Sequence, residues 1–359
     1  MHGADLAIVG GGIVGLCSAL EAARMGLSVV ICDRPLEGRA SRAAAGMLAP
    51  SLDGMPLHIL PHALAARDFY PGFLGALEDA TGIEVPLNRN GILEVAHSEA
   101  ELDSLASRRP AWAELLDGAS LGALEPALSS HCGALLHPLD GGVDNVILMA
   151  ALEHAVSRVS GIRRVSDRIV ALGTGSGVPR LRTELGSRID AEVFLLASGA
   201  WAGALPGLPR PLPVRPLCGQ LVLLAGDPVR HVTYAGGGYL VPRGGSTVIG
   251  ATTEETGFSC ETSDAGRAQL TEIARLASPA FAAPSVEDHW AGLRPVTPDA
   301  FPIICQDPDH SGIIYACGFS RNGILLAPWA AAQLSEVFAG RAASPCLAPF
   351  HIDRFLSRG

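Results

Sequence analysis

The residues best suited to chemistry open the chain. An apolar run over residues 6–9 leads into Gly10-Gly11-Gly12-Ile13-Val14-Gly15, and a helical pattern follows as far as Ala23. Gly26 stops that helix, a second apolar run follows, and Asp33 stands at its end with Arg34 beside it. Each part has a physical task in holding a dinucleotide. Gly10 makes the tight turn, Gly12 lets the backbone approach a pyrophosphate, and Gly15 lets helix and strand pack closely. The helix start at Ile13 and Val14 offers unpaired N–H groups and the positive end of the helix dipole to phosphate. Asp33 has the spacing of a carboxylate that accepts hydrogen bonds from a ribose. Arg34 is taken with it as a cofactor-binding candidate.

Later segments add to this. In Ser41-Arg42-Ala43-Ala44-Ala45-Gly46-Met47-Leu48 the small residues let backbone amides come within reach of a cofactor that bulky side chains would block. Ser198 and Gly199 follow a buried-strand pattern, and Val170 lies in another. Arg294, in "GLRP", provides a planar, permanently charged fork of the kind that holds a carboxylate. Near the end, Arg321 precedes Asn322-Gly323-Ile324-Leu325, which begin a helix whose dipole favours negative charge at its start.

Composition bounds the partners. The 359 residues carry a net charge of −10, which speaks against nucleic acid or an anionic membrane surface. Lysine is absent and all 26 basic residues are arginine, so neither a pyridoxal-phosphate Schiff base nor a Walker-type loop is expected. The eight cysteines are scattered without a C-x-x-C pair and read as small buried hydrophobes in a reducing cytoplasm. His58 and His62 have helical spacing, but Pro61 intervenes and no third ligand is evident, so no metal site is expected. No targeting segment or membrane-spanning helix is read.

The elements that must position these residues interleave. Helices are expected over residues 64–80, 145–159 and 263–276, with strand-rich stretches over 83–96, 133–144 and 214–250. A strand and helix close the chain over 312–339. This predicts an α/β fold in which a Rossmann-like nucleotide domain comes from residues 1–75, 143–212 and 295–359. An antiparallel, β-rich substrate domain is inserted as residues 76–142 and 213–294.

Four blocks then carry a resemblance: "IVGGGIVGLCSALEAARMG", "SRAAAGMLAP", "LLASGAWAG", and "WAGLRPVTPD" paired with "GFSRNGILLAP". Together they resemble the flavin-dependent amine oxidases of the D-amino acid oxidase superfamily, most closely the glycine oxidases of thiamine biosynthesis. The resemblance implies FAD, with Met47 and Leu48 against the flavin ring and Val170 contacting adenine through its backbone. It implies Arg294 and Tyr239 as the clamp on the substrate carboxylate and Arg321 as a second arginine beside the flavin. It further implies dioxygen as electron acceptor, peroxide release and a homo-oligomer. Residues 289–296 contain no cysteine of the kind that anchors FAD in sarcosine oxidases, so non-covalent FAD is expected. Asp33 replaces the family's commoner glutamate, and Phe319-Ser320 stand where glycine oxidases often carry histidine and an aromatic residue. Three other readings therefore stay open. They are a sarcosine or secondary-amine oxidase, a D-amino acid or proline dehydrogenase that reduces a quinone, and a flavin-binding protein without catalysis.

Overall fold

The computed structural model describes residues 3–52, 55–173 and 180–355. Apolar runs without alternation form strands buried on both faces, as in Ala4–Val9, Val29–Cys32 and Ile313–Cys317, and with two further strands these build a parallel core of five. The order is Ile313–Cys317, Arg188–Leu196, Ala4–Val9, Val29–Cys32 and Ile162–Val165, with Ile303–Gln306 antiparallel at one edge. On one face Leu6 and Ile8 pack against the helices Ile13–Arg24, Leu60–Thr81, Asn145–Arg158 and Gly323–Phe338. On the other, Ala7 and Val9 join Phe194, Leu196 and Tyr315 in a second core.

The register decides where a ligand can lie. Val9 pairs with both Cys32 and Leu196, and Leu196 pairs with Tyr315. Three strands therefore end together, and Gly10, Asp33 and Ala197 emerge side by side at their carboxyl ends, while the neighbouring strand runs on to Cys317. In open α/β sheets that edge is where ligands bind.

A second sheet of eight strands faces this edge. Its order is Val286–Val296, Arg215–Ala225, Ser246–Gly250, Gly238–Arg243, Val232–Ala235, Ile92–Ala96, Gly133–His137 and Glu114–Asp117. The expectation of an antiparallel sheet needs one correction, because Val232–Ala235 and Ile92–Ala96 run parallel. These strands come from chain segments far apart in sequence, so no hairpin dictates their direction. Two helices, Glu99–Ser107 and Gly118–Leu124, also lie in a stretch where none was expected. The cysteines are not uniformly interior. Cys346 is exposed, and Cys132 and Cys260 are half-buried.

One buried ion pair ties the edge strand to the chain that follows the strand Arg188–Leu196. Asp307, fully buried, accepts hydrogen bonds from Arg210 Nε at 2.6 Å and from Tyr315 Oη at 2.6 Å. These bonds outweigh burial and hold the Asp307 carboxyl at about 2. Breaking a buried pair costs about 3–5 kcal/mol, so Asp307→Ala is expected to lose that much in urea denaturation. A depressed folded-state pKa stabilises above the ordinary carboxylate range, so wild-type stability should fall between about pH 4 and pH 2. Asp307→Asn should flatten that acid limb.

Candidate cofactor and substrate site

A cavity of about 1260 Å³ lies between the carboxyl edge of the first sheet and the face of the second. Ordinary small-molecule pockets occupy roughly 300–1,000 Å³, so there is room for a dinucleotide and a substrate together.

At the nucleotide end Gly10 has φ +112°, and a side chain there would meet Ala197 O at 2.4 Å. A Cβ on Gly12 would sit 3.1 Å from Ser41 Oγ. Gly15 does not line the cavity; a Cβ on it would meet Gly10 O at 2.0 Å, so it serves helix–strand packing. One expectation is altered. The Ile13 N–H at the helix start donates to Ser41 Oγ at 3.1 Å, so Ser41 caps this amide across the cavity. Val14 lines the same wall, and so do Ser198, Gly199 and Val170. Ser198 Oγ is buried and has no hydrogen-bond partner among the described residues, as suits a donor awaiting an anionic oxygen. The Asp33 carboxylate accepts from Arg39 Nη1 at 2.9 Å, and Arg34 pairs with Glu184. Arg39, which the sequence reading missed, therefore belongs to this end of the cavity.

The middle of the cavity is walled by residues 40–47. Three side chains hold this segment from outside. Asn145 Nδ2 donates to Ser41 O at 2.9 Å and to Arg42 O at 3.2 Å. Arg243 Nη2 donates to Ala45 O at 3.0 Å and to Asn145 Oδ1 at 2.8 Å. Trp290 Nε1 donates to Ala43 O at 2.9 Å. None of these three was singled out in sequence, since nothing local marks a side chain that clamps a segment 103 to 247 residues away. Gly46, at φ +87°, leaves no room for a side chain, because a Cβ would lie 2.0 Å from Val143 O.

Three further expectations are corrected here. Arg42 turns away to Glu153 at 2.8 Å and does not line the cavity. Met47 lines it but Leu48 does not, because successive residues of a strand face opposite ways, and Leu48 is buried in the core. On the last helix Gly323 and Ile324 reach the cavity beside Asn322, while Leu325 turns into the core.

At the substrate end Arg294 projects from the strand Val286–Val296 and lies across Gly219, where a Cβ would sit 2.1 Å from its Nη1. Nη1 donates to Cys218 O at 3.3 Å and Thr252 O at 3.2 Å, which fixes the fork. Tyr239 lies against Gly250, where a Cβ would sit 2.2 Å from the ring. Burial pushes the Tyr239 hydroxyl up, against the pull of Arg294, Arg321 and Arg243, so it stays a protonated donor at neutral pH. Arg321 stands at the cavity rim. Arg294, Tyr239 and Arg321 thus line the same cavity.

The family profile "FAD dependent oxidoreductase" (DAO) matches residues 5–337. The chain belongs to this family of FAD-dependent oxidoreductases. It is 35% identical over 370 residues to the bifunctional protein ThiO/ThiG of Synechocystis sp., with 98% of this chain aligned. It spans only 54% of that relative's length. It is 32% identical to the glycine oxidase of Geobacillus kaustophilus, across 99% of this chain and 98% of that one. A crystal structure of glycine oxidase from the same organism superposes with a TM-score of 0.90 at 31% identity, covering 100% of both chains.

The residues present suit FAD. The glycine turn and the unpartnered Ser198 hydroxyl would take the pyrophosphate, the Asp33 carboxylate would face the ribose, and the middle, walled by small residues, would take a flat ring. Among the described residues of this oxidoreductase no helix is long and apolar enough to cross a membrane. Gly46→Ala forces an alanine into a left-handed conformation against Val143 O. It is expected to cost at least about 2 kcal/mol and to lower the flavin-to-protein absorbance ratio of the purified enzyme.

Proposed function

We propose that this enzyme oxidises glycine or another small amino acid to the imine of a 2-oxo acid, with dioxygen as acceptor and hydrogen peroxide as second product. The observation that carries this reading is the convergence of Arg294 and Tyr239 on one wall of the cavity, each placed by a glycine directly beneath it. The guanidinium fork takes the substrate carboxylate with two charge-assisted bonds, and the Tyr239 hydroxyl donates a third. Holding the carboxylate fixes the direction of the α-carbon and its C–H bond, the main positional demand of the reaction. Bound FAD supplies the two-electron acceptor for the hydride of that carbon. Arg321 and the helix start at Asn322, Gly323 and Ile324 present positive potential at the opposite wall, where negative charge gathers on reduction. No side chain is assigned as general base.

The cofactor is proposed to be held without a covalent bond, since residues 289–296 lack cysteine and Cys305 does not line the cavity. Residues 1–75, 143–212 and 295–359 are proposed as the FAD-binding domain, with the remainder forming the substrate domain. The likeness to ThiO/ThiG supports a role for the imine in building the thiazole of thiamine.

Anaerobic addition of glycine to the purified flavoprotein should bleach its visible absorbance, and admitting air should restore it with one peroxide per imine. Bleaching by sarcosine but not glycine would move the assignment to secondary amines. Bleaching without reoxidation by air would indicate a dehydrogenase. Arg294→Gln removes two charged hydrogen bonds of about 1.5–3 kcal/mol each, so kcat/KM for glycine should fall by at least about 100-fold. The flavin content should stay near that of the wild type.

A further inference from the structure

Glycine fills little of this cavity. Beyond Tyr239 the cavity continues across the second sheet, and the register shows what lines it. Tyr239 pairs with Tyr234, and Tyr234 pairs with Glu94. Directly paired residues lie on one face of a sheet, so these three side chains form a row. The two tyrosine rings are 5.8 Å apart. Adjacent strands are about 4.8 Å apart, so Glu94 stands roughly 10 Å from Tyr239 along the sheet. All three line the cavity.

Glu94 is built in place. Its Oε1 accepts from His137 Nε2 at 2.7 Å, and its Oε2 accepts from Arg108 Nη2 at 2.5 Å. A carboxylate has no proton to give, so His137 Nε2 must be the donor. Its Nδ1 is buried with no partner among the described residues, which leaves Glu94 as the fixed point of that ring. Burial pushes the Glu94 carboxyl up, but the bonds from His137 and Arg108 outweigh it and hold it below the usual range. A second carboxylate, Glu101, lines the same arm and accepts the His97 N–H at 2.7 Å. His97 itself is kept neutral by burial and by His131. This arm thus holds two carboxylates and one guanidinium, while Arg294 and Arg321 stand at the other end of the substrate region.

We propose that Glu94 is the centre of a distal subsite that takes the side-chain ammonium of a diamino acid whose α-carboxylate is held by Arg294 and Tyr239. The assignment rests on the amino-acid oxidase reading above and gives it a substrate class. An unbranched side chain of three or four methylenes runs over the Tyr234 ring, an apolar floor on which only the terminal ammonium meets charge. Chains of the same length without the ammonium leave the Glu94 arm desolvated and unmatched.

The test compares kcat/KM for ornithine against norvaline and for lysine against norleucine, each in both enantiomers, with glycine alongside. For the enantiomer that reacts, the ammonium-bearing member of each pair should be preferred at least about tenfold. Glu94→Gln should reduce the preference to less than about threefold. Binding gives a readout independent of turnover. By calorimetry, 5-aminopentanoate should bind the wild type at least about tenfold tighter than pentanoate, and Glu94→Gln should erase the difference. Glycine turnover with no preference in the wild-type pairs would overturn the subsite and leave the oxidase reading standing. Failure of glycine and every other amino acid to bleach the flavin would overturn both. The wild-type comparison needs no variant, so loss of folding in Glu94→Gln would not blunt it.

Discussion

The fixed position of residues 41–47 between the two sheets is the constraint on which the rest of the site depends. This short segment belongs to neither sheet's interior, and it is anchored from both sides. Asn145, at the start of a helix packed on the parallel sheet, holds its first carbonyls. Arg243 and Trp290, from the second sheet, hold Ala45 and Ala43. Asn145 and Arg243 also bond to each other, so the clamp is one network with its members mutually satisfied. A buried network of this kind specifies one arrangement, because shifting any member leaves a buried polar group unpaired. The backbone that faces a flavin and the strand that carries Arg294 are thereby set at a defined separation.

Charge is then distributed along the cavity in alternation. Arg39 meets Asp33 at the nucleotide end, Arg294 and Arg321 stand near the centre, and Glu94 and Glu101 occupy the far arm. Each charged group that is half-buried has a bonded partner or a carbonyl cradle, as a low-dielectric wall requires. With arginine the only basic residue type, every cation here is a planar fork that keeps its charge at working pH. The arrangement is dipolar. A zwitterion entering it has one favoured direction, carboxylate toward Arg294.

Much of this was legible in the sequence because it depends on local rules. The glycine turn, the first strand and helix, and the placement of Asp33 follow from chain geometry within about 30 residues, and the structure sets them as read. The cap at Ser98 with Glu101 three residues on could also have been read. That S-x-x-E pattern starts the missed helix Glu99–Ser107, with Ser98 Oγ accepting from Glu101 N. The clamp residues could not be read, since Asn145, Arg243 and Trp290 act on carbonyls through contacts that only the assembled fold creates. The same holds for Arg42 and Leu48. Both sit in a segment whose composition suits a cofactor, yet strand alternation and the Glu153 ion pair turn them away. Composition identified the segment, and only tertiary packing could say which side of it faces inward.

The second sheet also shows how a strand can accommodate large functional side chains without opening. Gly219 and Gly292 are directly opposed across two strands, and Gly250 is opposed to Tyr239. Glycine weakens a strand interior unless something must come close, and here each one has such a neighbour. Arg294 lies over Gly219, Tyr239 over Gly250, and the Ala43 methyl against Gly292, where a Cβ would come within 2.4 Å. Arg294, Tyr239 and Ala43 are thus pressed onto the same small area of sheet from the same side. A single substitution at any of these glycines would lift one group away from that surface. Because Gly219 and Gly292 are cross-strand partners, Arg294 and Ala43 meet the sheet at neighbouring points. The distance between the Arg294 fork and residues 41–47 is therefore a property of the sheet itself, set where two glycines face each other.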